Sequence, residues 1–240
     1  MKPKLYQYAA CPFCNKVRSM LEYKGVEFDT IEVHPLNKKE IAFSAGYRAV
    51  PIYIDSTGAQ VNDSTPIMRR IDAEFPEPKV FREDADGRET EDKWLVWSER
   101  FVKGLPTAIY NSLPKALQSF DYITKTGKFK WHEQQTIKWM GAFVMTMVSK
   151  KIAKREGITN PDEFLRERAR EWAEGLNGRH FMGGTTPNGA DLAVFGIVRA
   201  VASLPAGKAL AENRAFEDWR LRVQKLLSIS AHFPAQAGIH

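Results

Sequence analysis

The chain has 240 residues, 43% hydrophobic and 27% charged, with a formal net charge of +6 and two cysteines. These proportions are those of a soluble globular protein. They leave no room for a disulfide framework, for a span-length apolar run or for a signal-peptide core in the opening "MKPKLYQY". Much of the excess positive charge lies in "SKKIAKRE" (149–156), one face of a helix, without the aromatic-interleaved groove that nucleic acid needs; no nucleic-acid partner is expected.

In chain order, "KLYQY" reads as a strand, "PFCNKVRSMLEYKG" as a helix closed by Gly25, and "VEFDTIEV" as a second strand. "NKKEIAFSAG" predicts a short helix, and "VPIYID" and "AQVN" predict a strand pair around the turn "DSTG". "DSTPIMRRIDAEF" predicts a helix stopped by Pro76. The order β-α-β-α-β-β-α gives a mixed four-stranded sheet with helices packed on it. A polar, proline-bearing stretch follows, and beyond it every periodic segment is helical: "DKWLVWSERFVKGL", "PTAIYNSLPKALQSF", "WHEQQTIKWMGAFVMTMVSKKIAKRE", "PDEFLRERAREWAEGL", "ADLAVFGIVRAVASL" and "AFEDWRLRVQKLL". The expected division is 1–76 for the α/β domain, 77–90 for a linker and 91–240 for an all-helical domain, whose tail "SISAHFPAQAGIH" carries no periodicity.

Both cysteines fall in "CPFC". Cys11 sits at the start of the first predicted helix, with Pro12 at the first helical position, where its missing N–H costs nothing. The helix dipole and open N–H groups favour a thiolate at Cys11, and Lys16 and Arg18 are expected to add to that field. Cys14, one turn on, is either a resolving thiol or a buried small hydrophobe. Zinc would need further ligands, and His34 is the one histidine of the first domain, so no metal site is expected. Pro51 opens a strand, and a cis bond there would expose the Val50 backbone to a peptide-like ligand. In "NDST", Asp63 suits an ammonium group, while Ser64 and the helix N–H groups suit a carboxylate; either residue can also be a plain cap. The thiol, the strand-edge proline and the Asp-Ser pair together match glutathione, which has an ammonium and a carboxylate at one end, a peptide-like middle and a sulfur that must reach the reactive thiol. The two cysteines also favour a reducing, cytoplasmic setting.

"CPFC", "VP" and "DS" resemble glutaredoxins, and the added helical domain resembles glutathione S-transferases. "LYQYAACPFCNKVRSML", "VNDSTPI", "SFDYI", "KWMGAFVMTMVSKK" and "FMGGTTPNGADLAVFGIVRAV" resemble the membrane-associated prostaglandin E synthase type 2 family, from residue 4 to about 225. The resemblance implies a thioredoxin-like domain with a transferase-type helical domain, Cys11 as catalytic thiol, and Tyr8 and Phe13 as flanking aromatics. It assigns Val50, Pro51, Asp63 and Ser64 to glutathione, with haem bound beside it in some members. It also implies a homodimer, and isomerisation of prostaglandin H2 to prostaglandin E2 or, with haem, its cleavage. Tyr8 has a plainer reading as a strand residue packed on the second domain, and Phe13 as a wall of the cleft. Asn188 and Asp191 read as a structural capping box. Animal members carry an anchoring region ahead of this domain; here the first strand starts near Met1, so a form without a stable membrane anchor is expected. The expected function is a glutathione-dependent thiol enzyme acting on a small hydrophobic electrophile, peroxide or glutathione mixed disulfide. The alternative is a non-catalytic module of the same fold that binds glutathione, haem or a protein partner.

Overall fold

A computed structural model describes residues 1–35, 37–126 and 131–230. Four short strands, β1 (Lys4–Gln7), β2 (Asp29–Glu32), β3 (Ile52–Ile54) and β4 (Gln60–Asn62), form one sheet in the order β2-β1-β3-β4. β1 runs parallel to β2 and antiparallel to β3, and β3 and β4 form an antiparallel hairpin. The parallel pair needs a crossover, which α1 (Pro12–Tyr23) supplies. Two-residue alternation divides the strands between two cores. Leu5 and Tyr53 face α1 and α2 (Ser64–Glu74) in the larger one, whereas Tyr6 and Ile52 face the other side, with Val33 and Ile41. This is the expected thioredoxin-like domain.

Seven helices follow among the described residues: α3 (Ala85–Ile109), α4 (Leu113–Thr126), α5 (Trp131–Glu156), α6 (Pro161–Leu176), α7 (Gly189–Arg199), α8 (Pro205–Ala211) and α9 (Arg214–Ser230). Their core holds a tryptophan cluster, with Trp172 and Trp219 ring centroids 4.8 Å apart, and it is continuous with the larger core of the first domain. The seam is α7 against α1. A Cβ on Gly196 would lie 2.5 Å from both the Asn15 carbonyl oxygen and the Lys16 nitrogen, so only glycine lets these two backbones meet. The capping box is present: the Asn188 side chain accepts from the Asp191 N–H at 3.1 Å, and Asp191 accepts from the Asn188 N–H at 3.0 Å.

Several sequence expectations change. The segment "NKKEIAFSAG" forms only one 3-10 turn, Lys39–Ile41. The stretch expected to link the domains, 77–90, is irregular only to Asp84. There the Asp84 carboxylate caps α3 by accepting from the Gly87 N–H at 2.8 Å. Pro106 does not divide two helices but lies in the last turn of α3, where the helix continues to Ile109 despite the one N–H the proline lacks. α8 was not anticipated, and α9 runs on through "SIS" to Ser230. The rest of the expected tail, 231–240, lies outside the described residues.

Candidate active site at the start of the first helix

Cys11 is the N-cap of α1, in extended backbone geometry, with Pro12 at the first helical position as expected. Its N–H donates to the Tyr8 carbonyl at 2.9 Å, and its own carbonyl accepts from the Asn15 N–H at 3.0 Å. Cys11 is partly exposed; Cys14 is fully buried. The Cys14 thiol first, and then the N–H groups of Cys14 and Phe13 at the helix start, favour a negative Cys11 sulfur. They hold the Cys11 thiol below its ordinary range, against burial and the nearby Glu32 charge. Burial, and then the neighbouring Cys11, push the Cys14 thiol well above its range.

The source of the field differs from the sequence expectation. Lys16 does not point at the thiol; its ammonium is fully buried in an ion pair with Glu99 at 2.5 Å and bonds the Thr65 hydroxyl at 3.2 Å. Arg18 lies along α1 beside Glu22, at 3.6 Å. The thiolate is therefore favoured by the helix terminus and by Cys14 rather than by cations. A consequence is testable with iodoacetamide rates against pH. Cys11 is expected to titrate below the usual thiol value of about 8.5. Cys14→Ala should move that midpoint up by removing the Cys14 thiol, and Cys14→Ser, which keeps a polar hydrogen there, should move it less. An unchanged midpoint in Cys14→Ala would remove Cys14 from this role.

Tyr8 follows β1 and packs in the smaller core of the first domain, not on the second domain as its plainer reading had it. Its phenol is pushed up to about 12, first by burial and then by the charges of Cys11 and Cys14, so it keeps its proton at neutral pH. Phe13 is half-buried against the larger core. The Val50–Pro51 bond is cis, with Pro51 buried and Val50 half-buried.

Asp63 is the N-cap of α2 and its carboxylate accepts from the Ser64 N–H at 2.8 Å. Its φ of +70° lies where side chains other than glycine are strained, at a cost of roughly 1–3 kcal/mol; such positions cluster at ligand sites. Asp63→Gly should therefore stabilise the fold by about 1 kcal/mol, net of glycine's greater chain entropy. Urea denaturation showing a loss of stability would mean that the cap outweighs the strain. Ser64 is fully buried, and its hydroxyl has no hydrogen-bond partner. The first turn of α2 offers fewer N–H groups than the sequence suggests, because Asp63 takes that of Ser64 and Pro66 has none, leaving Thr65.

Two residues of the site were missed. The Tyr47 phenol, raised first by burial, lies close enough to Asp63 and both thiols to feel their charges. Tyr110, at the C-terminal end of α3, brings the second domain to the thiol: burial and then the Cys11 charge push its phenol up to about 12. Nothing in the local pattern of "PTAIYN" signals that placement. His34, the histidine of this domain, has its Nδ1 engaged by the Asn37 N–H at 3.4 Å.

A thioredoxin-like domain with a thiol at its first helix terminus, joined through that helix to an all-helical domain, is the architecture of the glutathione S-transferases. The family model for the "Glutathione S-transferase, N-terminal domain" matches residues 5–79. A glutathione S-transferase from Rhodospirillum rubrum F11 shares the fold with a TM-score of 0.66 at 14% identity, over 97% of this chain and 93% of that one. A rice transferase solved in complex with glutathione shares it at 0.61 and 17% identity, over 98% and 93%. Prostaglandin E synthase 2 of Danio rerio is 31% identical, over 94% of this chain and 71% of its own. The chain belongs to the prostaglandin E synthase 2 family of the glutathione S-transferase superfamily. Among the described residues no helix is long and apolar enough to cross a membrane.

Proposed function

We propose that this protein is a glutathione-dependent thiol enzyme that acts through Cys11 on a small hydrophobic peroxide, electrophile or glutathione mixed disulfide. The observation that carries the reading is the Ser64 hydroxyl, buried and unpartnered at the start of α2. A buried hydroxyl without a partner is costly unless a ligand completes it. With the Thr65 N–H it would hold the γ-glutamyl carboxylate, while the second oxygen of Asp63 would take the ammonium. The Val50 backbone would pair with the cysteinyl peptide unit, which brings the glutathione sulfur towards Cys11.

On a mixed disulfide, the Cys11 thiolate attacks the glutathione sulfur. A Cys11–glutathione disulfide forms, and the other thiolate leaves and takes a proton. Tyr8, protonated and beside the thiols, would donate a hydrogen bond to that leaving sulfur, whose proton comes from solvent. A second glutathione thiolate then attacks the glutathione sulfur bound to Cys11, releasing oxidised glutathione and restoring the thiolate. The isomerisation of prostaglandin H2 implied by the family is a reaction of the peroxide class. Cys14 is buried and its proton is held tightly, which favours a route using Cys11 and glutathione alone.

Calorimetry with glutathione tests the site. Asp63→Ala should weaken binding by about 1.5–3 kcal/mol, the range for a hydrogen bond to a charged group. Because so few N–H groups remain at the start of α2, Ser64→Ala should cost a similar amount rather than less. Unchanged affinity in both variants would reduce "NDST" to a helix cap.

A further inference from the structure

Lys16 is a charged group that the thiol chemistry leaves unused. Its side chain is fully buried, on the face of α1 that meets the start of α2. Its ammonium donates to the Thr65 hydroxyl at 3.2 Å and to the Glu99 carboxylate at 2.5 Å. The Thr65 hydroxyl donates in turn to the same Glu99 oxygen at 3.3 Å. Side chains of α1, α2 and α3 thus close a ring at the first turn of α2.

Packing does not call for a charge at this place. Val17 and Met20, neighbours of Lys16 on α1, fill the core with apolar side chains. Burying an ammonium is costly even when it is paired, and apolar residues of similar volume often replace such pairs without loss. The pair is also uneven. Lys16 is sealed from water, whereas the Glu99 side chain is 33% exposed, so solvent screens the carboxylate more than the ammonium. A positive field remains at Thr65, and Asp63, at the head of the same helix, lies within its reach.

The start of α2 is short of positive charge. A helix terminus with its full set of N–H groups holds a carboxylate by itself. Here Asp63 takes the Ser64 N–H and Pro66 has none, which leaves the Thr65 N–H beside the unpartnered Ser64 hydroxyl. We propose, on the reading that this site holds glutathione, that Lys16 is a positioning residue which acts through Thr65 as the counter-charge of the γ-glutamyl carboxylate. Small thiols without a carboxylate at that end gain nothing from Lys16, so the residue selects γ-glutamyl peptides. Glu99 keeps the proton on Lys16 against the burial that opposes it. The site is therefore complete only when α3 of the second domain is docked on the first.

Calorimetry with two ligands tests the proposal: glutathione, and γ-aminobutyryl-cysteinylglycine, which lacks only the γ-glutamyl carboxylate. Lys16→Met should weaken glutathione binding about tenfold, as expected of a poorly screened charge acting at one remove, and leave the second ligand within about twofold. Thr65→Val, which removes the hydroxyl and keeps the N–H, should give the same contrast at smaller amplitude, and it decides the matter if Lys16→Met does not fold. Lys16 is not among the main influences on Cys11, so the Cys11 midpoint in iodoacetamide rates should stay where it is in Lys16→Met. An equal loss with both ligands, or a shifted Cys11 midpoint, would make Lys16 a packing residue of α1 and overturn the proposal. Glutathione affinity unchanged in both variants would overturn it as well. In each of these cases the wild type still binds glutathione; a wild type that does not bind it removes the glutathione reading itself, and this role with it.

Discussion

Cys11→Ser is expected to lower glutathione-dependent turnover by about a thousandfold or more, because a serine hydroxyl is not ionised at neutral pH and is a far weaker nucleophile than a thiolate. Cys14→Ser should keep most of the wild-type rate. The two results together follow from an asymmetry in the structure. Cys11 is partly exposed and its thiolate is favoured by Cys14 and by the helix start, whereas Cys14 is sealed in the core. For Cys14 to resolve an intermediate, it would have to lose a proton that its surroundings hold well above the ordinary thiol range. Turnover of a small peroxide and of a glutathione mixed disulfide should be measured for both variants, with mass spectrometry of each after incubation with oxidised glutathione. A glutathione adduct trapped on Cys14→Ser, with turnover lost, would mean that the dithiol route operates and that Cys14 must become exposed during the cycle.

The largest expected loss of stability is at Asp191, far from the thiol. Its carboxylate is fully buried and accepts from the N–H groups of Met182 at 3.0 Å, Gly183 at 3.1 Å and Asn188 at 3.0 Å, and from the Trp219 indole at 2.8 Å. One side chain thus fixes the start of α7, the turn before it and α9. Asp191→Ala leaves three buried donors and the part-buried Gly183 N–H unpaired, each buried one worth about 1–3 kcal/mol, and the sum is reduced by relaxation and water entry to roughly 4 kcal/mol. Asp191→Asn should cost about half as much, since its carbonyl oxygen can serve one pair of donors while its NH2 opposes the other. Because α7 packs on α1 through Gly196, the alanine variant should also loosen the Cys11 helix and lower activity in proportion to the unfolded fraction. Urea unfolding that shifts by less than about 1 kcal/mol would show that the network is dispensable.

What was legible in the sequence is what neighbouring residues decide between themselves. Pro12, the apolar spacing of Val17, Met20 and Leu21, and Gly25 with its φ of +65° are enough to place α1 and its ends. Alternation in "KLYQY" and "IYI" places the strands, and "NGAD" specifies its own capping box. The position of Cys11 at a helix terminus belongs to the same class, and so does Asp63 at the head of α2. A charged run misled: "EDADGRETED" reads as linker, yet most of it is the first turns of α3. The burial of Glu91, which accepts from the Gly189 N–H at 2.7 Å, helps dock those turns onto α7.

Only the tertiary structure decided which side chains reach the thiol. Lys16 looked like a cation for the thiolate and is instead buried on the far side of α1, because that face meets α2 and Glu99 of α3. Tyr47 and Tyr110 enter the site from a loop and from another domain, at sequence distances over which no periodicity extends. The unpaired hydrogen-bonding capacity of the Ser64 hydroxyl is likewise a property of burial, which depends on everything packed around it. Backbone direction and helix ends are set by short-range sterics and hydrogen bonds, so the chain alone specifies them. The surroundings of a titrating group are set by which surfaces dock, and that choice rests on long-range packing such as the contact of α1 and α7 at Gly196.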